Sequence, residues 1–293
     1  MDRYECLRQG LDKSMRGVEI GPFFSPIVPK ADGWQTIVVD YSDGEELRER
    51  ARKHVAEVIR SSVNRIEDVD AVWRGEPIDE LCLPRINGKF DYVVASHVIE
   101  HTPDILGFLQ ACSRLLSERG VISLAVPDMR KEFDVLKSPT NTSHILEAFR
   151  LRRTRHTPET VFEARSMGAQ RNGEGAWVSG TTNPITFAGT LRGAWELYQQ
   201  EVADLDNNPD YIDAHAWYFV PASFRLCMLE LNVLDLIDFK IDSLVTNPGS
   251  EFIVQLRRGK IDISDAELEK TRLELALARY AEFHDEVFRP ATK

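Results

Sequence analysis

Along the first 134 residues, short apolar runs alternate with stretches of helical periodicity. RGVEIG (residues 16–21) closes on glycine and QTIVVD (35–40) on aspartate; DAVW (70–73), FDYVVAS (90–96) and VISLAVP (121–127) follow as further strand signals. The unbroken apolar run in FDYVVAS suits a strand covered on both faces. Between the runs, Ser42-Asp43 caps a helix over GEELRERARKHVAEVI, with acid early and base late. Pro103-Asp104 opens another over ILGFLQACSRLLSER, with Gly120 as its stop. Such alternation predicts an α/β fold with a mostly parallel sheet and right-handed crossovers.

The pattern changes near residue 135. Helical stretches (HILEAFRLRR, LRGAWELYQQEV) are interrupted by the loop RNGEGAWVSGTTNP, which predicts a helical and loop insertion lying over the sheet as a lid. HAWYFVPASF returns the chain to the core, SFRLCMLELNV is a helix, and DLIDFKID and EFIVQLRRG are two strands that complete the sheet. From Ser264 a charged helix carries Leu268, Leu273, Leu277, Tyr280 and Val287 at helical spacing, expected to dock on the protein's own core, with a homodimer contact as the alternative. The expected divisions are 1–134 (core), 135–215 (lid and acceptor insertion), 216–262 (return to the sheet) and 263–293 (C-terminal helix).

Composition narrows the function classes. A net charge of −11 over 293 residues argues against a nucleic-acid partner, which would need a basic face. The charged N-terminal stretch does not read as a signal peptide, and no apolar run approaches the ~20 residues of a membrane span. Cys6, Cys82, Cys112 and Cys227 show no paired spacing and read as buried free thiols. A cytoplasmic location is the expectation.

In open α/β sheets ligands bind beyond the carboxyl ends of the central strands. Here those ends offer Glu19, Gly21 and Pro22 after the first strand, Asp40 after the second, Arg74, Gly75 and Glu76 after the third, and Ser96 and His97 after the fourth. Gly21 permits close backbone approach, and Asp40 is placed to accept both hydroxyls of a ribose. Singly, such residues are turn glycines and helix caps. In this order they describe a nucleoside-binding crevice.

These segments resemble class I S-adenosylmethionine-dependent methyltransferases, in particular the bacterial group acting on small molecules and glycans. VEIGPFFSPI resembles that family's first motif and TIVVD its second. KFDYVVASHVIEHTPDILGFLQACSRLLSERGVISLAVPD resembles its stretch from fourth to fifth strand. The resemblance implies a Rossmann-like sheet whose last strand is antiparallel, and S-adenosylmethionine as cofactor. It places Glu19, Gly21 and Pro22 by the methionine end, Asp40 on the ribose, Gly75 and Glu76 near the adenine, and Ser96 and His97 along the site. It departs from the family where Phe23 and Phe24 replace further glycines, and Pro22, Pro26 and Pro29 preclude a long helix directly after the loop.

Two other chemistries use similar signals. A nicotinamide dinucleotide would want G-x-G-x-x-G at the first turn to meet its pyrophosphate; GPFFSP does not supply it, and S-adenosylmethionine has no phosphate to hold. His97–His101 (HVIEH) matches the H-x-x-E-H pattern of zinc peptidases, but that pattern needs one continuous helix, whereas here it follows a strand and precedes Pro103. No metal is therefore expected, and a zinc hydrolase is the remote alternative. The expected activity is methyl transfer (class 2.1.1) to a small polar acceptor, a sugar or glycan intermediate being favoured; a non-catalytic S-adenosylmethionine-binding scaffold is the other reading. Side chains to take an acceptor's proton are His97, His101 and Asp128, with His156 and His215 more ordinary as satisfied rings. Arg152, Arg153 and His156, in a run of cations unusual for this acidic chain, are expected to meet an anionic or saccharide acceptor.

Overall fold

A computed structural model describes residues 2–204, 212–247 and 249–288. Helix α1 (Arg3–Leu7) precedes β1 (Arg16–Ile20) and β2 (Gln35–Asp40). Helices α2 (Gly44–Arg52) and α3 (Glu57–Ser61) lead to β3 (Ala71–Val72), α4 (Ile78–Cys82) to β4 (Phe90–Ser96), and α5 (Ile105–Leu115) runs into β5 (Leu116–Pro127). The middle of the chain forms α6 (Thr142–Arg150), α7 (Pro158–Ser166), a hairpin of β6 (Ala169–Arg171) with β7 (Ile185–Phe187), and α8 (Leu191–Asp204). Helix α9 (Pro221–Val233), β8 (Phe239–Thr246), β9 (Glu251–Arg258) and α10 (Asp265–Val287) complete it.

The main sheet has seven strands in the order β3-β2-β1-β4-β5-β9-β8. The first five are parallel, and β9 runs antiparallel to both of its neighbours. This is the expected Rossmann-like sheet. Strand order reverses between the paired strands β1 and β4, so the crossovers leaving their carboxyl ends diverge, the place where open α/β sheets hold ligands.

Alternation along the strands sorts side chains to two covered faces. Val93 and Ala95 join Ile20, Val39, Ile122 and Leu124 in a core closed by α5 and α9. Tyr92 and Val94 face the other way, onto Leu7, Ile27, Val28 and Trp34. That second face is closed by α1 and by the proline-rich segment after β1, which forms a single 3-10 turn (Lys30–Asp32) where a long helix would ordinarily pack. A β-carbon at Gly17 would lie 1.8 Å from the Tyr92 ring. Glycine there lets Tyr92 cross β1 and meet Thr36 Oγ1 at 2.7 Å.

Several local expectations are corrected. Helix α5, capped by Asp104 as expected, stops at Leu115 rather than at Gly120. Leu116 already pairs with Phe90, and residues 117–120 bulge out before Val121 pairs with Tyr92. The helix after Asp43 breaks into α2 and α3 where the His54 ring accepts the Ala56 amide at 3.0 Å. Leu273, Leu277 and Tyr280 of α10 face solvent, while Phe283 and Val287 pack inward against Met129, Tyr218 and Val135. The four cysteines are buried free thiols. No helix among the described residues is long and apolar enough to cross a membrane.

Candidate active site

The turn after β1 is shaped by Gly21, whose φ of +64° and Cβ position 2.9 Å from Val98 Cγ2 admit no side chain without strain. Its amide donates to Val39 O (2.8 Å), locking the turn against the end of β2. One residue on, Asp40 is buried: Oδ1 accepts the Tyr41 amide at 2.8 Å, and Oδ2 has no partner. Burial raises its carboxyl to about 7, against the opposing pull of the Phe23 backbone and Arg50. A buried carboxylate oxygen without a donor is costly unless a ligand supplies one.

Glu19 points elsewhere. Its carboxylate accepts the amides of Ile27 (2.5 Å) and Val28 (3.1 Å), so it props the proline segment rather than opening into the crevice. Burial raises it to about 7 despite those two bonds. Near β3, Gly75 (φ +103°) and Glu76 form a turn in which Glu76 accepts the Arg74 amide at 2.9 Å. The segment bearing the arginine run approaches this turn, with Thr154 O 3.5 Å from the position of a β-carbon on Gly75.

Strand β4 ends in a sharp turn. His97 adopts φ +54°, its amide donating to Ala125 O (3.0 Å), and Ile99–His101 form one 3-10 turn rather than the sustained helix a zinc-peptidase motif requires. Ser96 Oγ accepts from Arg3 (2.5 Å), and His97 Nε2 meets Glu251 at 2.9 Å. Glu251 is buried, but its bonds to His97 and Arg3 hold its carboxyl at about 2.

Glu100 is wholly buried with neither oxygen hydrogen-bonded; Oε1 lies 3.6 Å from His97 Nδ1 and 3.8 Å from His101 Nε2. His101 Nδ1 bonds Asp213 (2.8 Å), and its ring meets that of His215 edge to face at 4.5 Å. Burial works against protonation of His101, yet Asp213 and Glu100 raise its pKa. His215 Nδ1 bonds Asp134 Oδ2 at 2.6 Å, and Lys137 Nζ bonds Asp134 Oδ1 at 2.5 Å. His215 and Lys137 hold Asp134 at about 2 in spite of its burial, while burial and Asp134 push Glu132 well above the usual carboxylate range.

The other expected residues divide. Asp128 is not an open carboxylate: it is fully buried, forms a two-point pair with Arg130 (2.7 and 2.5 Å), and lies 3.4 Å from Lys131 Nζ. Arg152 is exposed at φ +50°, and Arg153 binds Glu147 at 3.0 Å. His156 is buried near Asp213, His101 and His215, its pKa lowered to about 4 chiefly by burial. It belongs to the histidine cluster rather than to an exposed arginine face. Arg3, Glu251, Glu132 and Asp134 were not expected; each reaches the site through a long-range contact that local pattern does not encode.

The family model described as "Methyltransferase domain" matches residues 17–122, the segment from β1 into β5 that builds this crevice. Over that segment, about a third of the chain, the sequence is similar to a methyltransferase domain. No curated protein matches it. Among solved structures, the CcbJ methyltransferase from Streptomyces caelestis is 10% identical over 88% of this chain and 97% of its own, with TM-score 0.43. An S-adenosylmethionine-dependent methyltransferase from Mesorhizobium loti is 13% identical over 87% and 98%, TM-score 0.39. A protein described as a Zn-dependent alcohol dehydrogenase from Rhodobacter sphaeroides is 14% identical over 88% and 89%, TM-score 0.43. Within the matched segment, Gly21 forms a turn at positive φ, and Asp40 Oδ2 is buried without a hydrogen bond.

Proposed function

We propose that this chain binds S-adenosylmethionine along the ends of β1, β2 and β4 and transfers its methyl group to a small polar acceptor. The orphan Oδ2 of Asp40 carries the reading, because a ribose diol would supply the donor that this buried oxygen lacks. Gly21 and Pro22 would shape the wall beside it, Gly75 and Glu76 the adenine end, and Ser96 and His97 the path toward the sulfur. Glu19 supports the loop from beneath.

When bound, S-adenosylmethionine would supply an electrophilic methyl group on a sulfonium, and the residues at the ends of β1, β2 and β4 would hold it for an acceptor to approach in line. Alignment is then the protein's main contribution. His97 and His101 flank Glu100 at the end of β4 and would line the acceptor side. Asp128 has no such place, being committed to Arg130 and Lys131. The approach of the arginine-bearing segment to Gly75 supports a lid role for it, and the segment's cations favour an anionic acceptor.

Titration calorimetry with S-adenosylhomocysteine tests the reading. Wild type should bind one equivalent per chain, and Asp40→Asn should bind about tenfold or more weakly with its circular dichroism unchanged. Methyl transfer from labelled cofactor to a panel of sugars, sugar phosphates and small amines then separates an enzyme from a binding scaffold. Absence of binding by wild type would refute both.

A further inference from the structure

We propose that Glu100, His101 and His215 form a divalent transition-metal site at the acceptor end of the crevice. One ligand atom from each, an oxygen and two imidazole nitrogens, lies within 4.8 Å of the other two. Coordination at ordinary Zn–N and Zn–O lengths needs separations of about 3–3.5 Å. The 3.8 Å between Glu100 Oε1 and His101 Nε2 already approaches this.

Three further observations point to a cation. Glu100 is wholly buried with both oxygens unbonded, the arrangement expected of a carboxylate whose partner is an ion. Each histidine has its other ring nitrogen held by a carboxylate: His101 Nδ1 by Asp213 at 2.8 Å, His215 Nδ1 by Asp134 at 2.6 Å. That is the outer-shell pattern that fixes tautomer and orientation in metal-ligating histidines. Finally, Asp134 is itself bound by Lys137, so it is engaged as the outer partner rather than as the ligand.

Two imidazoles and one carboxylate suit zinc, cobalt, iron or manganese better than magnesium or calcium, which prefer all-oxygen sites. Three protein ligands leave further positions for water or an acceptor oxygen. On the methyltransferase reading, on which only this purpose rests, an acceptor hydroxyl bound there would be held in place and made easier to deprotonate. The sequence pattern H-x-x-E-H thus contributes Glu100 and His101 without the helix, and without His97, that a peptidase would use.

The test is cobalt(II) and zinc(II) titration of full-length protein first stripped with chelator and then freed of it. Wild type should take up one equivalent, with visible cobalt d–d bands. Uptake should weaken by at least ~10-fold in Glu100→Gln and His215→Gln and by ~10- to 100-fold in the outer-shell variant Asp134→Asn. His284→Gln, at an exposed histidine on α10, should not change it. Millimolar magnesium should not displace cobalt. S-Adenosylhomocysteine titration of each variant reports folding separately. No uptake by wild type, uptake unaltered in both ligand variants, or displacement by magnesium would overturn the site. If S-adenosylhomocysteine binding persists in that case, the methyltransferase reading stands without it; metal uptake without cofactor binding would be the reverse.

Discussion

Glu19 and Ile27 are joined by a buried hydrogen bond of 2.5 Å from the loop amide to the strand carboxylate. With the Val28 amide at 3.1 Å on the second oxygen, one side chain of β1 fixes the segment that departs from it. This answers how a glycine-poor, proline-rich first loop keeps its shape with no helix behind it. Glu19→Ala would leave two buried amides unbonded, at about 1–3 kcal/mol each. Urea denaturation should show a stability loss of roughly 2–4 kcal/mol. A loss below 0.5 kcal/mol would mean the loop stands without it.

Asp40 and Glu19 both have carboxyls raised to about 7, chiefly by burial. A raised folded-state pKa means the folded protein holds protons that the unfolded chain has released. Stability is therefore fully present below about pH 4 and falls as pH rises toward and through 7. The groups acting on Asp40 are Arg50 and the Phe23 backbone; on Glu19, Glu67 and Arg8 besides its two amides. Cofactor-free protein should lose a few kcal/mol from these two groups between about pH 4.5 and 8, with Asp40→Asn flattening part of the curve. Cofactor affinity should run the other way, rising with pH through 7 as Asp40 ionises and becomes the better acceptor. Calorimetry at pH 6 and 8 checks the sign; equal affinity at both would contradict it.

Much of the fold was legible because it is local and periodic. QTIVVD and FDYVVAS are β2 and β4 to the residue, Asp43 caps the helix it was expected to cap, and the helices expected from Asp104 and Ser264 begin there. Pro22, Pro26 and Pro29 forecast the missing helix after β1, since proline lacks the donor that a helix needs. Gly21 and Asp40 stand at the ends of β1 and β2, where the sequence pattern put them. What pattern could not supply was side-chain direction. Asp128 stands where an active-edge carboxylate would, but Arg130, two residues on, turns it inward. The histidine cluster joins residues 100–101, 132–137 and 213–215, and no periodicity brings those three segments together.

Gly21 makes a sharper prediction than the other glycines of the crevice. Gly21→Ala adds both a left-handed backbone penalty and a contact of 2.9 Å with Val98. The expected cost is about 1–3 kcal/mol of stability together with weaker S-adenosylhomocysteine binding. Adding Val98→Ala should recover only the steric part, because φ of +64° remains. Full recovery would show that the turn tolerates a β-carbon.

Arg152 and Arg153 lie on the segment that approaches Gly75, and Arg152 is exposed. Reversing both charges to Glu should raise the KM for an anionic acceptor about tenfold or more while leaving cofactor affinity within twofold. Arg153 also pairs with the half-exposed Glu147, a contact worth under about 1 kcal/mol, so folding should survive. An unchanged KM would remove these arginines from the acceptor site.

Asp128 separates a structural carboxylate from a chemical one. It is fully buried, with Arg130 on both oxygens and Lys131 Nζ at 3.4 Å, itself almost entirely buried. Asp128→Asn would leave two buried cations facing a neutral amide, and removing one partner of a buried pair costs about 3–5 kcal/mol. The expected result is a large fall in the urea midpoint, with residual turnover in proportion to the folded fraction. If instead the variant unfolds at the wild-type midpoint and loses turnover by 100-fold or more, Asp128 is the acceptor's base and its pairing with Arg130 must open during the reaction.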